Sequence, residues 1–264
     1  MDVTELENLH KWFDRYVPEF LTGAPDFDRN ILLKQEHTRR VCFEITALAR
    51  ELDTEENGRR IAEVSALLHD IGRFEQYRKY QTFADYETEN HAELGLRVID
   101  RHELLKAVDP EERELVRRAI LHHNLAAVPE EASAKQKFFS GLLRDADKLD
   151  IWKVVTDYYS RQDRQRNGAI ELDLPDTPGI SEGVYQNIIQ QLIVDFVHIY
   201  NLNDFKLVQV GWVFDINFTA TLNKLRQRRY LDKIRAVLPE NPRIERAFET
   251  VQQYIDRRLA GQRQ

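Results

Sequence analysis

The chain has 264 residues, with 38 Lys and Arg against 45 Asp and Glu and a formal net charge of −7, and the length is enough for one large domain or two small ones with a substantial core. This acidic balance provides no basic field for DNA or an anionic membrane surface, so large nucleic acid is not an expected partner. Cys42 is the only cysteine, which excludes intrachain disulfides and cysteine-rich zinc sites and fits a reducing compartment, with the cytoplasm as the expected location.

The opening MDVTELENLH is acidic rather than basic and apolar, and no run approaches the roughly 20 apolar residues needed to cross a bilayer, so neither export nor membrane anchoring is expected. From Thr4 to Leu21 the residues Leu6, Leu9, Phe13, Tyr16 and Phe20 recur at helical spacing, and GAPD at 23–26 breaks the pattern. His10 lies alone on this amphipathic helix and is given no role. Asp28 then suits the cap of a helix reaching about Leu52, with Ile31, Leu32, Val41, Ile45 and Leu48 as its buried stripe. His37 falls on that face, four residues after Leu33 and four before Val41. A buried imidazole needs a partner, so His37 is either a hydrogen-bonded core residue or a ligand, and the segments that follow favour the ligand.

Thr54 suits the cap of a helix over Glu55–Ile71, stopped by Gly72, whose last turn carries His69 and Asp70 in the stretch HDIGRF. A histidine followed directly by an aspartate where a buried helix breaks directs an imidazole nitrogen and a carboxylate oxygen at one point, a metal-ligand arrangement. The expected loop after Gly72 carries Arg73, Tyr77, Arg78, Lys79 and Tyr80, of which Arg73 stands beside the motif and is the one assigned to an anionic group. Asn90 suits an N-cap for the helix NHAELGLRVIDRHELL, which opens on His91; His102, at its more polar end, is left out. Asp109-Pro110 starts the helix that ends in His122 and His123, neighbours about 100° apart around its axis. A further helix runs from about Lys135 to Arg161. In its RDADKLDIW, Asp147 points inward with Leu143 and Ile151, Lys148 stands next to it, and Asp145 and Asp150 read as acceptors behind a site or as surface charges.

Between 162 and 180 the composition turns polar, with NGAIELDLPDTPG. Ser181 suits the cap of the helix EGVYQNIIQQLIVDFVHIY. The alternation in VQVGWVFDINF would suit a strand, but one isolated strand has no partner, so helix is expected. The last forty residues read as two amphipathic helices joined by PENP, with RQRRY a solvated face and His198 structural. There is no internal repeat, and the P-loop, dinucleotide and nucleophile-elbow signatures are absent.

The order His37, His69-Asp70, Asp147 on successive helices, with His91, His122-His123 and the segment DADKLD, resembles the HD superfamily of metal-dependent phosphohydrolases, whose ligand order is H…HD…D. The resemblance implies an all-α fold, an HD-domain-like helical bundle with additional C-terminal helices. It is divided here into an N-terminal helix over 1–29, a core over 30–162 and a helical extension over 163–264 packing on that core. It implies metal ligands His37, His69, Asp70 and Asp147, a possible second ion on His91 and His122, and substrate contacts from His123, Arg73 and Lys148. The mixed nitrogen and oxygen set suits Mn, Fe, Co, Ni, Mg or Zn better than calcium. One or two ions are compatible, and with two, Asp70 bridges a pair about 3.5–4 Å apart. The implied activity is hydrolysis of a small phosphate ester, with a nucleotide as the leading substrate. The alternatives are a nucleotide-binding regulatory module with a structural metal, and a dinuclear-iron HD-type oxygenase. The GYP segment of cyclic-di-GMP phosphodiesterases and the synthetase-like domain of long ppGpp hydrolases are both missing, and the oligomeric state stays open.

Overall fold

The computed structural model describes residues 1–161 and 166–261, and the regular structure of the described residues is all-α, with no strand. The chain divides into two units, Met1–Asp150 and Ile151–Gln264. The division expected at 162/163 lies outside the described residues.

In the first unit, Asp2 caps α1 (Val3–Tyr16) in a capping box, accepting from Glu5 N at 2.8 Å while the Glu5 carboxylate takes Asp2 N at 2.7 Å. A 3-10 turn over Val17–Phe20 follows and delivers Phe20 to the ring of Phe74, 5.7 Å away. Proline in its first turn opens α2 (Pro25–Glu51). Asp28 is therefore not its cap: it lies in the first turn, and its carboxylate accepts the Thr22 and Gly23 N–H groups of the preceding loop at 2.8 and 2.9 Å. Leu32 turns outward, 43% exposed, and the buried stripe is Ile31, His37, Val41, Ile45 and Leu48.

Helix α3 (Glu56–Leu68) has Glu55 at its N-cap, and Thr54 makes no capping bond. It stops before His69, three residues short of the expected Ile71. The expected loop after Gly72 is a helix, α4 (Gly72–Tyr80), ended by Gln81 in the left-handed conformation at φ 56°. His69, Asp70 and Ile71 are thus the whole link between two helices. Asn90 and Asp109 cap α5 (His91–Arg101) and α6 (Pro110–His122) through their side chains, and α7 runs Ala134–Tyr159. Helix α3 packs on α1, α2 and α6, and α4 packs on α5. The close approach of α4 and α5 requires Gly72, because a Cβ there would collide with the backbone oxygen of His91 and nitrogen of Gly95. Ile31, Ile45, Leu67, Leu68, Ile71, Phe74 and Ile120 are fully buried in this unit, each contributing about 1.5–3 kcal/mol.

In the second unit, the buried Trp152 donates its indole N–H to Gln209 O at 2.8 Å. Helices α8 (Gly168–Glu171), α9 (Glu182–Ile189), α10 (Leu202–Gly211), α11 (Thr219–Gln227), α12 (Tyr230–Arg235) and α13 (Pro242–Ala260) follow, with α9 and α11 packed on α13. Ser181 does not cap α9 with its side chain; its N–H and hydroxyl both donate to the buried Asp204. That helix ends at Ile189, well short of the expected Tyr200. The VQVGWVFDINF segment is the end of α10 and a 3-10 turn over Trp212–Asp215; α10 is buried on every side, so its sequence shows no helical period. The final forty residues form three helices instead of two, because Arg229, inside RQRRY, adopts a left-handed φ of 56° between α11 and α12.

Candidate metal centre

The break between α3 and α4 turns His69 and Asp70 toward α2, α5, α6 and α7 within the first unit. His37, His69 and Asp70 each offer a ligand atom, all within 4.8 Å of one another, and Asp70, His91 and His123 form a second such group; all five residues are buried. Asp70 belongs to both groups through different oxygens. Its Oδ2 lies 3.6 Å from Nε2 of His37 and 3.6 Å from Nε2 of His69, while its Oδ1 lies 3.4 Å from Nε2 of His91. Asp147, on α7, points its Oδ1 at the first group, 3.1 Å from His37 Nε2 and 3.9 Å from His69 Nε2.

Each imidazole is held from behind by its other nitrogen. Nδ1 of His37 meets Asp150 Oδ2 at 2.7 Å, that of His69 meets Ala66 O at 2.7 Å, that of His91 meets Asp85 Oδ2 at 2.6 Å, and that of His123 meets Ile120 O at 2.5 Å. Carbonyls and carboxylates only accept, so every Nδ1 carries the proton and donates it, and every neutral ring presents its Nε2 lone pair to the centre. Nε2 of His37 and of His69 are buried without a hydrogen-bond partner, His37 Nε2 lying 3.1 Å from Asp147 Oδ1. Nε2 of His91 and Nε2 of His123 face each other at 2.9 Å. Two lone pairs at that distance repel unless a cation lies between them. The donor set therefore fits a divalent metal, with imidazole nitrogens and carboxylate oxygens of the kind that transition metals take.

The charges agree. Burial opposes ionisation of Asp70, but Lys34, the histidines and Arg73 outweigh it and hold the carboxyl well below its usual range. Asp147 is likewise depressed, burial being outweighed by His37 and His69. Burial pushes His69, His91 and His123 down, His91 to about 4 and His123 well below the ordinary imidazole value, so these three rings are neutral. In His37 burial and Lys34 push down, but the Asp147 and Asp150 carboxylates prevail and raise it to about 9. At neutral pH the ion-free His37 consequently carries a proton that a metal must expel. The apparent metal affinity is expected to rise by up to about tenfold per pH unit from 6 to 8 and to level off only toward 9. Calorimetric titration with Mn(II) in buffers of different ionisation enthalpy should show about one proton released per first ion at pH 7; an affinity that does not change with pH would contradict this linkage.

The other residues singled out in the sequence fall as follows. His122 is turned away from the centre, with its Nδ1 3.1 Å from Ser140 Oγ, and it is His123 that joins Asp70 and His91. The period of α6 carries that signal, since His123 follows the fully buried Val116, Ala119 and Ile120 at intervals of seven, four and three, whereas His122 follows Leu115 and Arg118. Arg73 donates to Gln76 Oε1, Phe83 O and Asp85 Oδ1 at 2.9, 2.5 and 2.8 Å, pinning the segment before α5 to the HD motif. Lys148 follows Asp147 on α7 and is half-buried. Asp150 is an acceptor behind His37 and also takes two bonds from Arg40, at 2.6 and 3.0 Å. His10 bonds Glu63 at 2.9 Å, and His102 packs against the rings of Trp12 and Tyr16. Asp85, Lys34 and Arg144 escaped the sequence reading. Arg144 donates to the carbonyls of His122, His123, Leu125 and Ala126, closing the C-terminal end of α6 where His123 is set.

A model of the protein family described as HD domain matches residues 35–152, the span that contains His37, His69, Asp70, His91, His123 and Asp147. Residues 35–152 are an HD domain. Searches of curated proteins and of solved structures gave no match to this chain. The family match and the buried His and Asp groups that could hold a metal support a relation to the metal-dependent HD hydrolases. Among the described residues, no helix is long and apolar enough to cross a membrane.

Proposed function

We propose that the HD domain hydrolyses a small cytoplasmic phosphate ester, with a nucleotide as the preferred class, at a two-ion centre. The observation that carries this reading is Asp70, whose two oxygens address two separate imidazole groups as a bridging carboxylate does. In this reading His37, His69, Asp70 and Asp147 hold one ion, and Asp70, His91 and His123 hold the other. Divalent ions held in this way supply positive charge to phosphoryl oxygens and lower the pKa of water enough to provide hydroxide near neutral pH. The rest falls to the protein. Asp150 and Asp85 hold the His37 and His91 rings in the tautomer that leaves Nε2 unprotonated. Lys148 adds a cation beside Asp147, and Arg73 contributes its charge while its donors hold Phe83 and Asp85.

The experiment is a panel of nucleoside mono-, di- and triphosphates and linear and cyclic dinucleotides, with phosphate detection and added Mn(II) or Co(II). Turnover that EDTA abolishes is expected. Nucleotide binding without turnover would point instead to a regulatory module, and oxygen uptake with Fe(II) in the absence of phosphate release would point to an oxygenase.

A further inference from the structure

Lys34 was not among the residues that the sequence marked, yet it reaches the centre. It lies three residues before His37 on α2 and therefore shares its face. Its Nζ donates to Asp70 Oδ2 at 2.8 Å and stands 5.4 Å from the centre of the Phe83 ring. The side chain is 19% exposed, against 3% for Asp70, 6% for His37 and 1% for His69, so with Asp147 at 17% it forms the more exposed edge of the cluster. An ammonium has three donors, and the bond to Asp70 uses one. Arg73, the other cation beside Asp70, has its NH1 group committed to Gln76, Phe83 and Asp85.

We propose that Lys34 is the side chain that receives the phosphoryl group of the substrate, an inference that rests on the phosphohydrolase reading above. Asp70 Oδ2 is the oxygen shared by the first histidine group and by Lys34. When that oxygen serves a divalent ion, the ammonium next to it is repelled by the ion, and an anion placed between the two relieves the repulsion. A phosphoryl group is that anion. Lysine suits the role because its charge is compact and its stem flexible, so the ammonium can turn from Asp70 to a phosphoryl oxygen without moving α2. Phe83 provides the face along which the ammonium is held.

The test uses the full chain loaded with Mn(II) and compares wild type with Lys34→Met, which keeps the stem, and Lys34→Arg, which keeps the charge. Four quantities are read: Mn(II) content, the dissociation constant for inorganic phosphate, and kcat and KM for the best nucleotide of the panel. Lys34→Met is expected to hold as much Mn(II) as wild type, to bind phosphate at least about tenfold more weakly, and to lose roughly 100-fold in kcat/KM, with Lys34→Arg recovering part of both losses. Wild-type phosphate affinity and kcat/KM in Lys34→Met would overturn the assignment while leaving the hydrolase reading in place. Loss of Mn(II) in Lys34→Met would also overturn it, because Lys34 would then serve the metal cluster and not the substrate. A wild type that holds Mn(II) but neither binds phosphate nor hydrolyses any member of the panel would refute the hydrolase reading and this proposal with it.

Discussion

Asp70→Asn is expected to lower phosphate-ester turnover by about 10³-fold or more while far-ultraviolet circular dichroism stays that of wild type. The substitution keeps the size of a buried side chain, so the link between α3 and α4 has no reason to collapse. What it removes is the negative charge whose two oxygens face His37 and His69 on one side and His91 on the other. In the two-ion reading, both ions would lose a ligand at once. The amide also places an N–H₂ group either against His37 and His69, where Lys34 then loses its acceptor, or against His91. Turnover within tenfold of wild type would show that Asp70 is not the shared ligand.

Gly72→Ala is expected to be the most disruptive small substitution in the first unit. Replacing glycine by alanine in a helix normally helps by up to about 1 kcal/mol. Here the added methyl would overlap the backbone of His91 and Gly95, and backbone cannot swing aside as a side chain does. Overpacking of this kind costs about 1–3 kcal/mol and occasionally more, which outweighs the helical gain and lowers the melting temperature by about 2–4 °C per kcal/mol. The site should suffer with it. Separation of α4 from α5 moves His91 away from Asp70, so the second ion and the activity should be lost even below the melting temperature. Gly95→Ala is the control, because its Cβ would approach Ile71 Cγ2 at 3.4 Å, Gly72 N at 3.5 Å and His69 O at 3.9 Å, all ordinary contact distances. A wild-type melting temperature and full metal content in Gly72→Ala would contradict the close approach of the two helices.

Much of this centre was legible in the sequence because its parts are local. Asn90 and Asp109-Pro110 announce their helices by side-chain chemistry that acts within three residues, and the structure uses both as caps. The inward faces of His37 and Asp147 follow from helical period alone, and both side chains reach the cluster. Elements that depend on distant partners were not legible. Thr54, Asp28 and Ser181 look like caps, but the capping bonds are not made: Asp28 grips the loop before its own helix, and Ser181 turns to Asp204. The α4 helix was hidden because its five polar or charged residues in nine mimic a loop, and its packing on α5, α2 and the Val17–Phe20 turn makes it a helix. Asp85 had no signal at all. It lies six residues before His91 in a one-turn 3-10 helix over Asp85–Glu87, and bonds from Arg73, Gln76 and Asn124 bring its carboxylate to that ring. The choice between His122 and His123 was readable in principle from the stripe of Val116, Ala119 and Ile120, a case where the period of the helix decides what the order of a motif does not.

The choice between His122 and His123 decides which variant keeps both ions. Elemental analysis of the Mn(II)-loaded protein, after removal of loosely held metal, should find about two ions per chain in wild type and in His122→Ala, and about one in His123→Ala, whose remaining ion stays on His37, His69, Asp70 and Asp147. Two ions retained in His123→Ala with one lost in His122→Ala, or wild-type protein that holds no ion at all, would contradict the centre described here.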